Sequence, residues 1–314
     1  MNPYHYASKL YFQPFFDIDL PAQVTEIPAL LNIHERRLLY YVAKEIFKGW
    51  GSFVDAGCFV GGSTVAICEG LSENKNLKDK SGYLHTYDRF VVDGSMKKSQ
   101  RIIDAMYGDA TDDGFYRAFQ KHTQKHKDLI TLHRGDLMSE QWDGSPIEVH
   151  FLDVAKTWDL TKWIMKHHYS CFKPGTILIH QDYYDPRSYW LPLTVGFLSD
   201  YFELIENVES STAVFLCTET PPQEILEQDI RETLSLAEAL DATMSMGSNI
   251  SSVRRGILEI QAAYICAWYG DLEQGQARLE TTKQKYDGLG RMRTEIPRAE
   301  AVFAHRGSLL KQTT

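Results

Sequence analysis

The chain has no apolar run near the about 20 residues that a membrane-spanning helix needs, so its composition excludes an integral helical membrane protein. Its opening residues, Met1-Asn-Pro-Tyr-His-Tyr6, lack the basic and then apolar regions of a secretory signal. Basic charge is in deficit: 33 Lys and Arg against 42 Asp and Glu leave a formal net charge of −9. A dedicated nucleic-acid surface is normally basic, so neither a nucleic acid nor a membrane is expected as a partner. Cysteine is scarce, with Cys58, Cys68, Cys171, Cys217 and Cys266 forming no C-x-x-C pair and finding no histidines at zinc spacing. Their mostly apolar surroundings suit reduced core residues, and a cytoplasmic location is expected.

What is present is the composition of a globular protein. The 314 residues, 43% hydrophobic and 24% charged, suffice for one large domain, or a domain with an extension. Residues 1–29 carry Tyr, Phe and Pro without clear period and read as a lead that wraps the surface. Leu31, Leu38, Leu39, Val42 and Ile46 have helical spacing. Short apolar strands follow, beginning at Phe53, Gly82, Leu129, Glu148 and Gly175, with helical stretches at 64–71, about 115–126 and 158–169 between them. Segments 202–206 and 212–217 read as a closing hairpin. Strands alternating with helices predict an α/β fold, a Rossmann-like doubly wound, mostly parallel sheet with an antiparallel terminal hairpin. Pro221-Pro222 marks a break. Beyond it, 223–245 and 252–286 have helical pattern and no strand. Expected domains are therefore the lead, a core over 30–220, and a C-terminal α-helical extension over 221–314. Residues 262–279 carry one faint helix–turn–helix repeat, too little for a solenoid, so the extension is expected to be a cap or a homo-oligomer interface.

The most telling stretch is Phe53-Val-Asp-Ala-Gly-Cys-Phe-Val-Gly-Gly-Ser-Thr64. It reads as a strand ending in an acid, a glycine turn, and a helix start. Glycines permit sharp turns and close approach of a ligand, and a helix N-terminus offers free N–H groups. The G-x-G-x-x-G spacing of a dinucleotide site is not met, which disfavours a nicotinamide oxidoreductase. The order Asp55-x-Gly57-x-x-x-Gly61-x-Ser63 resembles the first motif of class I S-adenosylmethionine methyltransferases, closest to the catechol-type and macrolide-sugar O-methyltransferases. Asp88, in Tyr87-Asp-Arg-Phe90, ends the second strand and suits a pair of ribose hydroxyls, in agreement with the corresponding family acid. A helix cap or turn acid is its other reading. Asp55 is expected to orient the glycine loop or the cofactor's amino group, and Ser63 to donate to the methionine carboxylate. Asp136, in Arg134-Gly-Asp136, resembles the segment lining the adenine edge, although Gly-Asp is also a common turn pair.

A second likeness pairs Phe151-Leu-Asp-Val-Ala-Lys156 with Gly175-Thr-Ile-Leu-Ile-His-Gln-Asp182. By that resemblance Asp153 is a metal ligand, with Gln181 and Asp182 in the places of the other two, and Lys156 is a general base toward a substrate hydroxyl. Gln181 departs from the family's acidic residue and removes a negative charge, which lowers affinity for Mg²⁺. In a metal-free version Asp182, His180 or Lys156 is the base. His150 and His180 read as core histidines, His167-His168 as solvated, and Met244 and Met246 as apolar filler. The aromatics of Tyr183–Trp190 read equally as a stacking surface for an acceptor or as packing. The resemblance covers roughly residues 30–218. It implies methyl transfer from S-adenosylmethionine to a hydroxyl of a small-molecule or carbohydrate acceptor. The rival reading is a binding protein on the same fold, without catalysis, that grips a partner with its C-terminal helices.

Overall fold

The computed structural model describes residues 15–91, 114–208, 211–247 and 250–305. The lead before Phe15 and most of the polar stretch after the second strand lie outside them. The chain forms two compact units, Met1–Val154 with Cys171–Ile179, and Ala155–Ser170 with His180–Thr314. This division differs from the boundary expected at Pro221-Pro222.

In the first unit a short helix α1 (Ala22–Glu26) precedes α2 (Ile33–Tyr41). Asn32 starts α2 by a capping box: its side chain accepts from the His34 and Glu35 N–H groups, and Glu35 reaches back to the Asn32 N–H. A wider turn, Val42–Ile46, ends the helical run. Then come β1 (Ser52–Ala56), α3 (Gly62–Glu73), β2 (Leu84–Asp88), α4 (Gly114–Thr123), β3 (Ile130–Arg134) and β4 (Ile147–Leu152). Every residue of β1 and β4 is buried, as parallel strands covered on both faces must be. β1 pairs parallel with both β2 and β4, and β2 with β3. Glu148, buried on β4, accepts the N–H groups of Lys48, Trp50 and Gly51 and so anchors the turn into β1. Burial outweighs these bonds and raises its carboxyl to about 7.

β5 (Phe172–His180) begins three residues before the expected Gly175. The second unit carries α5 (Trp158–His167), α6 (Trp190–Phe197) and the antiparallel pair β6 (Phe202–Val208) and β7 (Thr212–Cys217). The strand order of the seven-stranded sheet is β3-β2-β1-β4-β5-β7-β6, the doubly wound, mostly parallel arrangement with a terminal hairpin that the sequence predicts.

The helical stretch 223–245 is three helices, α7 (Gln223–Leu226), α8 (Ile230–Thr233) and α9 (Leu236–Ser245). The stretch 252–286 is a helical hairpin of α10 (Ser252–Trp268) and α11 (Leu272–Tyr286), turned at Gly270 with φ +93°. A last helix, α12 (Met292–Ala304), was not expected; it contains Pro297. Small residues let these helices meet. A Cβ on Gly196 would lie 1.8 Å from the Ala242 carbonyl oxygen, and one on Gly275 2.8 Å from that of Ala263.

Two side-chain expectations change. His168 is buried, not solvated: it shares the inner face of α5 with Thr161, Ile164 and Met165 and meets the Trp163 ring edge-on. Tyr183, Tyr184, Tyr189 and Trp190 are all buried, so they pack the second unit and present no stacking surface. None of the five cysteines is in a disulfide, and all are buried, as expected. Among the described residues no helix is long and apolar enough to cross a membrane.

Candidate functional site

The first unit brings four of the expected acids to neighbouring strand ends. Register pairs Ala56 with both Tyr87 and Leu152, and Asp88 with Arg134. Asp55, Asp88, Asp136 and Asp153 therefore lie along one edge, the carboxyl side of a parallel sheet where ligands bind. Backbone bonds tie the loops leaving that edge. The Gly57 N–H donates to the Tyr87 carbonyl, Gly135 to Asp88, and Asp153 to Ala56.

The glycine loop is tight for a reason the sequence did not reveal. Gly57 and Gly61 adopt φ of +103° and +97°, a region that favours glycine. A Cβ on Gly57 would lie 3.0 Å from the Asp153 carbonyl carbon, and one on Gly62 2.5 Å from Ala29 Cβ. The missing side chains thus make room for protein, namely the exit of β4 and the lead. The His122 ring bonds the Val60 carbonyl from α4 at 2.6 Å and holds the loop's far side.

Asp55 is fully buried. Its Oδ2 accepts from Ser63 Oγ at 3.0 Å and from Thr64 Oγ1 at 2.6 Å, which ties the helix start to the strand end. The Ser63 hydroxyl is therefore used inside the protein, and Thr64, not singled out from sequence, shares its task. Asp55 Oδ1 is buried with no hydrogen-bond partner. Burial raises the Asp55 carboxyl to about 7, against the two hydroxyl bonds that lower it. A donor arriving at Oδ1 would complete the group.

Asp88 is held by two backbone donors, Phe59 N–H to Oδ2 at 2.8 Å and Phe90 N–H to Oδ1 at 2.7 Å. Those donors are the two non-glycine residues with positive φ among the described residues, Phe59 at +48° and Phe90 at +53°. Such backbone costs on the order of 1–3 kcal/mol per residue and collects at functional sites. The rings repay part of it in an apolar cluster: Phe90 is buried with Cys58, Val60, Phe115 and Phe119, and Phe59 packs on them. A carboxylate has about four lone-pair positions, so each Asp88 oxygen keeps acceptor capacity beyond its backbone bond. Burial raises the Asp88 carboxyl, opposed by the two N–H bonds. Asp136 is exposed and caps the turn Leu137–Ser139 through the Met138 N–H at 3.0 Å, the turn-forming alternative weighed for it.

The second unit holds Lys156, His180, Gln181 and Asp182. Lys156 Nζ forms an ion pair with Asp182 Oδ2. Trp190 Nε1 bonds the Ala155 carbonyl at 3.0 Å and places the residue before the lysine. Thr212 Oγ1 bonds the Gln181 carbonyl, and Gln261 Nε2 bonds the carbonyls of Tyr183 and Asp185, both at 2.9 Å. These contacts position the turn that carries Asp182. An ion pair with Lys156 half exposed is worth only about 0–1 kcal/mol, so stability alone gives it little purpose. His180 is buried, and neither ring nitrogen has a partner. Burial first, then Lys156, depresses its imidazole to about 3, which makes it a poor proton acceptor at neutral pH.

The expected metal set Asp153, Gln181 and Asp182 is two carboxylates and one amide. Gln181 contributes a neutral amide, and the Asp182 carboxylate already holds an ammonium. Among the described residues no group of three or more His, Cys, Asp or Glu is placed to hold a metal.

No family model matches the chain, and no curated protein matches it. Solved structures do. CalS11, a TDP-rhamnose 3′-O-methyltransferase of calicheamicin biosynthesis, superposes with a TM-score of 0.42 at 13% identity, over 68% of this chain and 92% of that one. The SAH-bound Podospora anserina methyltransferase PaMTH1 gives 0.41 at 14% identity, over 64% and 89%. Cofactor-bound Rv0187 from MTB gives 0.41 at 13% identity, over 63% and 87%. At that level of superposition the functional case is carried by this chain's own residues.

Proposed function

We propose that the protein is an S-adenosylmethionine-dependent O-methyltransferase acting on a hydroxyl of a small-molecule or sugar acceptor. The observation that carries this reading is Asp88: an acid at the end of the second parallel strand, steered by two strained backbone donors and left with acceptor capacity on both oxygens. Paired ribose hydroxyls suit such a group. The partnerless Asp55 Oδ1 suits a donor such as the amino group of the methionine end, and Asp136 stands at the neighbouring strand end for the adenine edge. The residues present thus fit the donor pattern of the cofactor.

When bound, S-adenosylmethionine supplies an electrophilic methyl on a sulfonium. The protein's part is orientation and proton removal. Asp182 takes the acceptor's hydroxyl proton and later passes it to water. As paired, Lys156 is an ammonium without a lone pair, so its role is to hold Asp182 rather than to be the base. His180, buried and held neutral, is not the base.

The test is transfer of labelled methyl from S-adenosylmethionine to a panel of catechols, sugars and glycosides. Turnover on a hydroxyl supports the reading. Tight cofactor binding with no turnover on any acceptor favours the rival binding protein, and a product methylated on nitrogen overturns the O-specific part.

A further inference from the structure

The mismatch at Gln181 and Asp182 has a chemical consequence. Mg²⁺ demands near-octahedral oxygen coordination, usually with one or two carboxylates. The expected set keeps two carboxylates, Asp153 and Asp182, beside the neutral Gln181 amide, but the Asp182 carboxylate is already held by the Lys156 ammonium. The turn bearing both residues is fixed by Thr212 and Gln261, so the pair does not depend on a cation for its placement. A divalent ion would have to displace the ammonium, and two cations a few ångströms apart repel.

We propose that this protein carries out its transfer without a divalent cation, and that the Lys156 ammonium takes the place beside Asp182 and holds that carboxylate in position. Lys156 acts through Asp182 and is a positioning residue. The inference rests on the methyltransferase reading. The balance is complete without a metal. The acceptor O–H bond breaks and its proton goes to Asp182, while the oxygen forms the new C–O bond. The C–S bond breaks with its electron pair left on sulfur. Lys156 remains an ammonium throughout, and Asp182 returns its proton to water.

The experiment uses the full-length protein, dialysed against EDTA, in three parallel measurements: Mn²⁺ titration followed by electron paramagnetic resonance, S-adenosylhomocysteine calorimetry, and methyl transfer with and without EDTA. Wild type is expected to bind no Mn²⁺ in the micromolar range and to keep its rate in EDTA. Lys156→Met combined with Gln181→Asp is expected to gain Mn²⁺ binding, and Gln181→Asp alone serves if the double variant does not fold. Stoichiometric micromolar Mn²⁺ binding by wild type, or a rate lost in EDTA and restored by Mg²⁺, overturns the proposal. So does a folded double variant that still binds no Mn²⁺, since Lys156 and Gln181 would then not be what keeps the metal out. Absence of S-adenosylhomocysteine binding would instead sink the methyltransferase reading, which separates the two failures.

Discussion

Replacing Asp55 by Asn trades stability against function in a way that pH exposes. The Asp55 carboxyl stands at about 7 rather than its ordinary 3.8 because it is fully buried. At 1.36 kcal/mol per decade, that interval of about three decades favours the protonated form in the folded state by about 4 kcal/mol. A folded-state pKa above the unfolded one gives stability that is fully present below pH 3.8 and lost as pH rises through about 7. Between pH 5 and 8 the loss is about 3 kcal/mol. Glu148, also raised to about 7, loses stability in the same window, but it is common to both proteins and cancels in their difference. Asn is neutral throughout and keeps an oxygen for Ser63 and Thr64. Urea unfolding at pH 5 and pH 8, extrapolated linearly, should show a shallower pH dependence in Asp55→Asn, with the variant the more stable of the two at pH 8. At that pH it should also bind S-adenosylhomocysteine at least about tenfold more weakly, since a charged hydrogen bond of roughly 1.5–3 kcal/mol is gone. If the two proteins share one pH slope, Asp55 does not titrate near neutrality and the account of its burial is wrong.

Other substitutions probe the remaining parts. Asp88→Ala removes the proposed ribose acceptor and frees the Phe59 and Phe90 N–H groups; calorimetry should show S-adenosylhomocysteine affinity down by about 10- to 100-fold. Gly62→Ala puts a methyl 2.5 Å from Ala29 Cβ and should cost about 1–3 kcal/mol in urea unfolding, with Ala29→Gly restoring part of the loss. Gln261→Ala strands the carbonyls of Tyr183 and Asp185 and should lower stability by about 2–4 kcal/mol; an unchanged melting temperature would show that water replaces the amide. Lys156→Ala should slow turnover while leaving cofactor affinity nearly intact, and equal loss in both would refute its assignment to Asp182 alone.

Local pattern made the strands and the glycine loop legible. β1 and β4 are short stretches rich in apolar residues, broken only by Ser52 and Asp55 in one and by Glu148 and His150 in the other, and positive φ at Gly57 and Gly61 follows from a turn between a strand and a helix. What the sequence hid depends on partners distant along the chain. Ala29 against Gly62 and Glu148 against the turn at 48–51 are contacts that no periodicity encodes. The aromatics at 183–190 left open whether they faced a ligand or the core until α10 was seen to hold that segment through Gln261. Ser63 followed the family motif, yet its hydroxyl went to Asp55, a choice set by how closely α3 approaches β1. The helix α12 was missed because Pro297 and the glycines before it weaken the local signal.

Calorimetric titration of pure, folded protein with S-adenosylhomocysteine is the most direct measurement. The account predicts one molecule bound per chain and that signal largely lost in Asp88→Ala. No heat over a range of temperatures, from protein whose unfolding is cooperative, would contradict it.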